Sequence, residues 1–331
     1  MIRTLLTAAT VVVTLATTAD AACSGPGFTE TLPAETRERI DTAAAQTPYG
    51  EGRLWQATRG DKTLTIVGTL HLPDPRHEPL LVQIETRMET TDFLLLEADA
   101  EEERRMSEAF VTNPEIMTMP GPSLPERMSE EDWQYLSEEM SKRGIAPMMG
   151  SRFQPWFLSL MLSVAPCAMQ DLIGGAPGLD KEIEALATDA NVPTASLESF
   201  DTIFTLFDTI PLEEQIDQLL VTIYPEDLAA SMHISMLNDY FDGYVSRIWE
   251  TAVVAIERLP GLTPEEREAS LAMVELLLIE QRNRAWIPVI EEAAVEHDHV
   301  MIAAGALHLP GEIGVLYLLE QNGWTLENLA R

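Results

Sequence analysis

Basic residues are scarce in this chain. Across 331 residues, 21 lysines and arginines face 54 aspartates and glutamates, a formal net charge of -33. Such a surface repels phosphate backbones and anionic lipid, which argues against nucleic-acid and peripheral membrane binding. Its ordinary consequence is solubility, with local concentration of cations as the sharper alternative. Long apolar runs are also lacking. Leu5 to Ala16 falls short of the roughly 20 residues that a helical membrane span needs, and no later segment reaches that length without charge. No phosphate-binding loop is present: Gly174-Gly175-Ala176-Pro177-Gly178 lacks the spacing and the lysine, and reads as a turn.

Cysteine is nearly absent, with only Cys23 and Cys167. Their meaning depends on the N-terminus, where Arg3, the short apolar stretch and Ala19-Asp20-Ala21 form the three parts of a secretory signal. Residues 1–21 are therefore expected to be a signal peptide, and the mature protein, from about Ala22, to be periplasmic or secreted. An even number of cysteines in an oxidising compartment suggests a disulfide. It would close a loop of more than a hundred residues, worth about 4–5 kcal/mol as an upper figure. Two free thiols are the alternative. Lipidation of Cys23 is the weaker one, because Asp20-Ala21-Ala22 lacks the aliphatic residue usual three places before such a cysteine.

What is present is the composition of a folded protein, 46% hydrophobic and 23% charged. Strands are expected at 54–58, 63–67, 93–96, 192–197 and 300–304, with helices at 34–45, 77–90, 180–190 and 311–321. Residues 101–112, 129–143 and 152–164 form helices between Pro/Gly turns, and 211–222, 225–258 and 263–296 are mostly helical. Short apolar strands alternating with helices argue for an α/β domain: a central sheet with flanking helices, carrying a largely helical insertion or cap over about 101–165 and 205–296. No linker divides 22–331. Methionines such as Met117, Met119 and Met161 read as gap fillers of an irregular core.

The chemistry is carried by an internal echo. Gly68-Thr69-Leu70-His71 and Gly305-Ala306-Leu307-His308 each follow a buried strand, and both continue with Leu-Pro. In an α/β sheet ligands bind beyond the carboxyl ends of strands, so the two imidazoles are expected in one crevice. Glu97 and Glu198 also stand just past apolar strands. Two imidazoles and a carboxylate suit a divalent ion such as zinc, manganese or cobalt. Singly, either histidine reads as a turn or core residue; the duplication is what argues for a site. Arg282-Asn283 interrupts an apolar helix, as a surface salt bridge or as groups that orient a carboxylate or polarise a substrate carbonyl. His77, His233, His297 and His299 have no such context.

Taken together, these motifs resemble the TraB/GumN family, which includes the Tiki metalloproteases and the pheromone-shutdown proteins. The resemblance covers residues 50 to 326 and rests on both Gly-x-x-His motifs, Glu97, Gly178-Leu179-Asp180, Leu197-Glu198 and Arg282-Asn283. It departs from the family pattern at Ile203, where many members carry glutamine, and at Gln281, where glutamate is common. It implies a metal-dependent hydrolase acting on a peptide or small molecule, with His71, His308 and Glu97 as ligands. Glu97, Glu198, Arg282 and Asn283 would serve the reaction. A non-catalytic envelope protein binding a metal, cofactor or peptide in the same crevice is the other expectation.

Overall fold

The computed structural model describes residues 23–169, 175–221, 223–259 and 261–329. The signal-peptide segment expected at 1–21 lies outside them. Six strands form one mixed sheet: β1 (Leu54–Arg59), β2 (Lys62–Thr69), β3 (Phe93–Leu96), β4 (Thr194–Ser196), β5 (His299–Gly305) and β6 (Thr325–Asn328), in the order β4-β3-β5-β2-β1-β6. The fold is α/β, as the alternation of apolar strands and helices requires. β5, drawn from the C-terminal end of the chain, runs parallel to β2 on one side and β3 on the other, and β4 continues the parallel set. β1 and β6 close the other edge in antiparallel pairing.

Because β2, β3, β4 and β5 are parallel, the segments that follow them all leave at the same end of the sheet. His71, Glu97, Glu198 and His308 stand on those segments. The strand interiors are apolar on both faces. Leu64, Ile66, Val300 and Ile302 pack against the helix Gln281–Glu296 on one side. Val67, Leu94, Met301 and Ala303 pack against the helices Glu78–Met88 and Leu179–Ala190 on the other. A separate core around Leu124, Leu136, Met140 and Leu158 holds the helical cap together.

Three boundaries differ from the sequence reading. The segment 225–258, expected to be mostly helical, is two helices, Glu226–Asp242 and Val245–Ile256. They are divided at Gly243, whose φ of +82° caps the first with a left-handed turn that glycine adopts without a Cβ clash. The last helix begins at Val315 rather than 311, after the Gly311–Gly314 turn. β6 lies beyond the last element expected from the sequence; as a short edge strand of alternating exposure it has no apolar run to betray it.

Cys23 and Cys167 form a disulfide that spans 144 residues and ties the N-terminal segment to the cap. Disulfides persist in oxidising compartments. Among the described residues no helix is long and apolar enough to cross a membrane. The Cys23→Ser/Cys167→Ser double variant is expected to lose about 4–5 kcal/mol at most. The loss would be read as a lowered melting temperature, insensitive to added reductant in the variant and reductant-dependent in the parent.

Asp239, next to that helix break, is buried. One of its carboxylate oxygens lacks a hydrogen-bond partner, and Arg247 reaches only within 3.5 Å of the other. Burial pushes its pKa up to about 6, against the pull of Arg247. Between about pH 4 and 6 the folded state holds a proton that the unfolded chain has lost, so this group costs stability as pH rises through that window. Asp239→Asn is expected to gain on the order of 2 kcal/mol at pH 8 and nothing at pH 4, measured by denaturant unfolding at both values.

Candidate functional site

The loop after β2 is fixed from three sides. Leu179 N–H donates to the Leu70 carbonyl at 3.0 Å, and the Tyr240 hydroxyl donates to the Gly68 carbonyl at 3.0 Å. His77 is buried, with Nε2 2.9 Å from the Leu72 carbonyl. His77, which has no context in the sequence, is thus a positioning residue for the His71 loop. Gly178 has a similar role. A Cβ there would lie 2.5 Å from the His71 carbonyl carbon, so only glycine lets the backbone of His71 pack against this turn.

The imidazole of His71 sits on a cavity wall and is 59% exposed, and its Nδ1 stands 3.0 Å from Oδ1 of Asp180. Asp180 lies in the first turn of the helix Leu179–Ala190, where the helix dipole favours a carboxylate. This contact with Asp180 raises the His71 pKa above the ordinary imidazole value, against the cost of desolvation. Asp180 is thus part of the site, although the sequence offers it only as the end of a turn motif.

His308 is the buried counterpart. Asn283 is fully buried, and its Nδ2 donates to the carbonyls of His308 and Ile313 at 3.1 and 2.8 Å. Its Oδ1 must then accept, and it faces Nδ1 of His308 at 2.7 Å. That places the proton on Nδ1 and leaves Nε2 as an acceptor, 3.1 Å from Nη1 of Arg282. Burial, together with Arg282 and His71, brings the His308 pKa down to about 4, so the ring is neutral at physiological pH. The same motif therefore yields two unlike histidines.

Arg282 joins the carboxylates. Its Nη2 donates to Glu97 Oε2 and Glu198 Oε1, both at 2.7 Å, and its Nε donates to both oxygens of Glu198. Trp286 Nε1 adds a bond to Glu198 Oε2 at 2.9 Å. With both oxygens engaged, Glu198 is suited to holding Arg282 rather than to taking a proton. Glu97 Oε1 accepts from the Gly305 N–H. Burial works to raise the Glu97 pKa, but the charges of His308 when protonated, Arg282 and His71, with the Gly305 N–H, hold it near 2. The wide turn Glu275–Glu280 leads directly into Gln281–Glu296, and Arg282 and Asn283 point inward while Gln281 stays exposed.

These residues converge at Gly305. The position a Cβ would take there lies 3.0 Å from Glu97 Oε1, 3.6 Å from His308 Cδ2 and 4.0 Å from His71 Nε2. His71, Glu97, Asp180, Glu198 and Arg282 open onto a cavity of about 420 Å³. Thr69 also lines it, buried, with a hydroxyl that has no hydrogen-bond partner. Asn283 lies behind His308, off the cavity, and acts by orienting it.

The model of the TraB/PrgY/gumN family matches residues 53–328, and so contains every residue of this site. The chain belongs to that family. Two relatives share the name "Uncharacterized protein YbaP". The one from Escherichia coli (strain K12) is 23% identical over 263 residues, covering 76% of this chain and 86% of the relative. The one from Shigella flexneri is 24% identical over 288 residues, covering 80% and 96%. Family membership thus rests on nearly the whole described chain and brings no assigned activity with these relatives.

Proposed function

We propose that the chain is a peptidase-like hydrolase acting at the cavity end where His71, Glu97, Arg282 and Thr69 meet, and that it works outside the cytoplasm, in the periplasm or secreted. The observation that supports it is the gathering of His71 Nε2, Glu97 and His308 around Gly305, with each imidazole engaged through Nδ1. Asp180 holds the Nδ1 side of His71, leaving Nε2 to take the proton of a water and later to pass it to the leaving amine. Arg282 and the unpartnered Thr69 hydroxyl face the same space and oppose charge developing on the substrate oxygen. Since Asp180 raises the His71 pKa, the neutral base predominates only on the alkaline side of the ordinary imidazole range, and activity rises there.

The resemblance also implies a divalent ion. The donor types fit one: two imidazoles and a carboxylate suit zinc, manganese or cobalt, and Asp180 and Asn283 are the partners that orient such imidazoles. The spacing does not fit as it stands. Among the described residues no three His, Cys, Asp or Glu are grouped to hold an ion, and Arg282 occupies both His308 Nε2 and Glu97 Oε2. His71, Glu97 and His308 would hold the ion once Arg282 withdrew, and a bound ion supplies Lewis acidity toward water and carbonyl. The position of the guanidinium favours a second reading, in which the same residues hydrolyse without metal.

The test is turnover of a peptide library by the purified protein, after chelation and with added manganese, cobalt or zinc, alongside metal content by mass spectrometry. Turnover only with metal supports the ion; turnover that survives chelation supports the second reading. Stoichiometric metal or peptide binding with no turnover would replace both by a sequestering protein.

A further inference from the structure

The cavity has two unlike ends. Its floor is the polar cluster on the strand ends. Its far wall comes from the helical cap: Met106 and Phe110 on the helix Ala100–Thr112, Phe157 on Pro155–Ser163, and Ile203 and Phe204 on Thr202–Asp208. All five are only half-buried, although each has a bulky apolar side chain. The wall is nevertheless built rather than loose. Phe204 packs on Phe110 and Trp156 with ring centres 5.6 and 5.4 Å apart, and Trp156 stacks on Phe207 at 5.6 Å. A packed apolar wall left open on one side, facing polar groups across a cavity of this size, is the general form of a small-ligand site, for which about 300–1,000 Å³ is usual.

The charge of the floor narrows the ligand. Arg282 there is already matched by Glu97 and Glu198, and with Asp180, Glu102 and Glu103 also on the lining the acids outnumber Arg282 and His71 together. His308 is neutral. An anionic group entering the cavity would therefore meet net negative charge, while an uncharged apolar group meets the wall.

We infer that the cavity selects peptides carrying a bulky, uncharged apolar side chain next to the scissile bond, seated against Phe204 and its neighbours. This rests on the hydrolase reading and names its substrate class. In this arrangement the sheet supplies the reacting groups and the cap supplies selectivity, so binding preference and turnover can be altered separately.

The probe is N-acetyl-Gly-(4-fluoro-Phe)-Gly-amide, followed by fluorine NMR with the full mature chain, the intact and cleaved probe giving separate signals so that binding is read apart from turnover. Competing peptides carry Phe, Leu, Gly or Asp at the centre. The Phe and Leu peptides should displace the probe at concentrations about tenfold or more below those needed for Gly and Asp. Phe204→Ala should weaken probe binding about tenfold, and Phe204→Leu should stay within about threefold of the parent. Should Phe204→Ala fail to fold, Ile203→Asn is to lower affinity in its place. Equal competition by Gly or Asp, or unchanged binding in the folded wall variants, overturns the inference even if the protein hydrolyses peptides. Selective binding without turnover under any condition overturns the hydrolase reading and leaves the apolar preference standing.

Discussion

Arg282→Ala is expected to be among the most damaging single substitutions in the chain, destabilising it by about 3–5 kcal/mol. The reason is the charge left behind. Glu97 and Glu198 are both largely buried, both accept hydrogen bonds from this one guanidinium, and among the described residues Glu198 has otherwise the Trp286 indole as its donor. Arg282→Lys should recover little, because one ammonium cannot span Glu97, Glu198 and His308 in the fork geometry that arginine provides. The pH dependence gives a diagnostic sign. Arg282 is one of the charges that hold the Glu97 pKa down, so in the variant Glu97 takes up its proton at higher pH than in the parent and the variant's deficit shrinks as pH falls. Urea unfolding at pH 7.5 and pH 4.5 measures this; a deficit equal at both values would mean that the guanidinium acts by packing alone.

His71→Ala and Asp180→Asn should do the opposite, leaving stability nearly unchanged and removing turnover. His71 is more than half exposed, and truncation at such a site typically stays within about 1 kcal/mol. Loss of a positioned base lowers rates by about 10²–10⁴-fold. The residual activity of Asp180→Asn should show the ascending, acid-side limb of the pH–rate profile at lower pH, because the contact that raises the His71 pKa is gone. His308→Ala and Glu97→Gln are likewise expected to be inactive. His297→Ala is the control, since that ring stacks on Phe93 at 4.6 Å at the other end of β5. An inactive His297→Ala beside an active His308→Ala would remove the proposed site.

Much of this arrangement is legible in the sequence because it depends on short-range pattern. The apolar runs that become β2, β3 and β5 mark the sheet, and a parallel sheet puts its ligand at one end. The echo of Gly-x-x-His-Leu-Pro therefore points to a shared crevice. What the pattern does not carry is register. Thr69, not Gly68, pairs with Gly305, so the two copies are offset by one residue across the β2–β5 ladder. A one-residue offset exchanges the faces on which side chains stand, which fits with one imidazole facing a cavity and the other sealed under Trp286. Long-range partnerships are equally silent in sequence. Nothing near Asp180 announces His71, and nothing near Arg282 announces two carboxylates 84 and 185 residues away. The Phe204 wall is invisible for the same reason: its members are spread over three helices and look like ordinary core residues.

The place of β5 in the sheet has a consequence for when the protein can first act. β5 is the spine between β2 and β3, yet it is built from residues 299–305 of 331. β2 must wait for a partner more than 230 residues downstream, a closure of high contact order that is intrinsically slow. A chain emerging from its N-terminus holds His71, Glu97 and Asp180 long before it holds Arg282 or His308. During synthesis the reacting groups therefore exist without the guanidinium that binds the two carboxylates or the strand that brings them together. The cavity is assembled last, and on the proposed hydrolase reading an incomplete chain has no competent site with which to cut its neighbours.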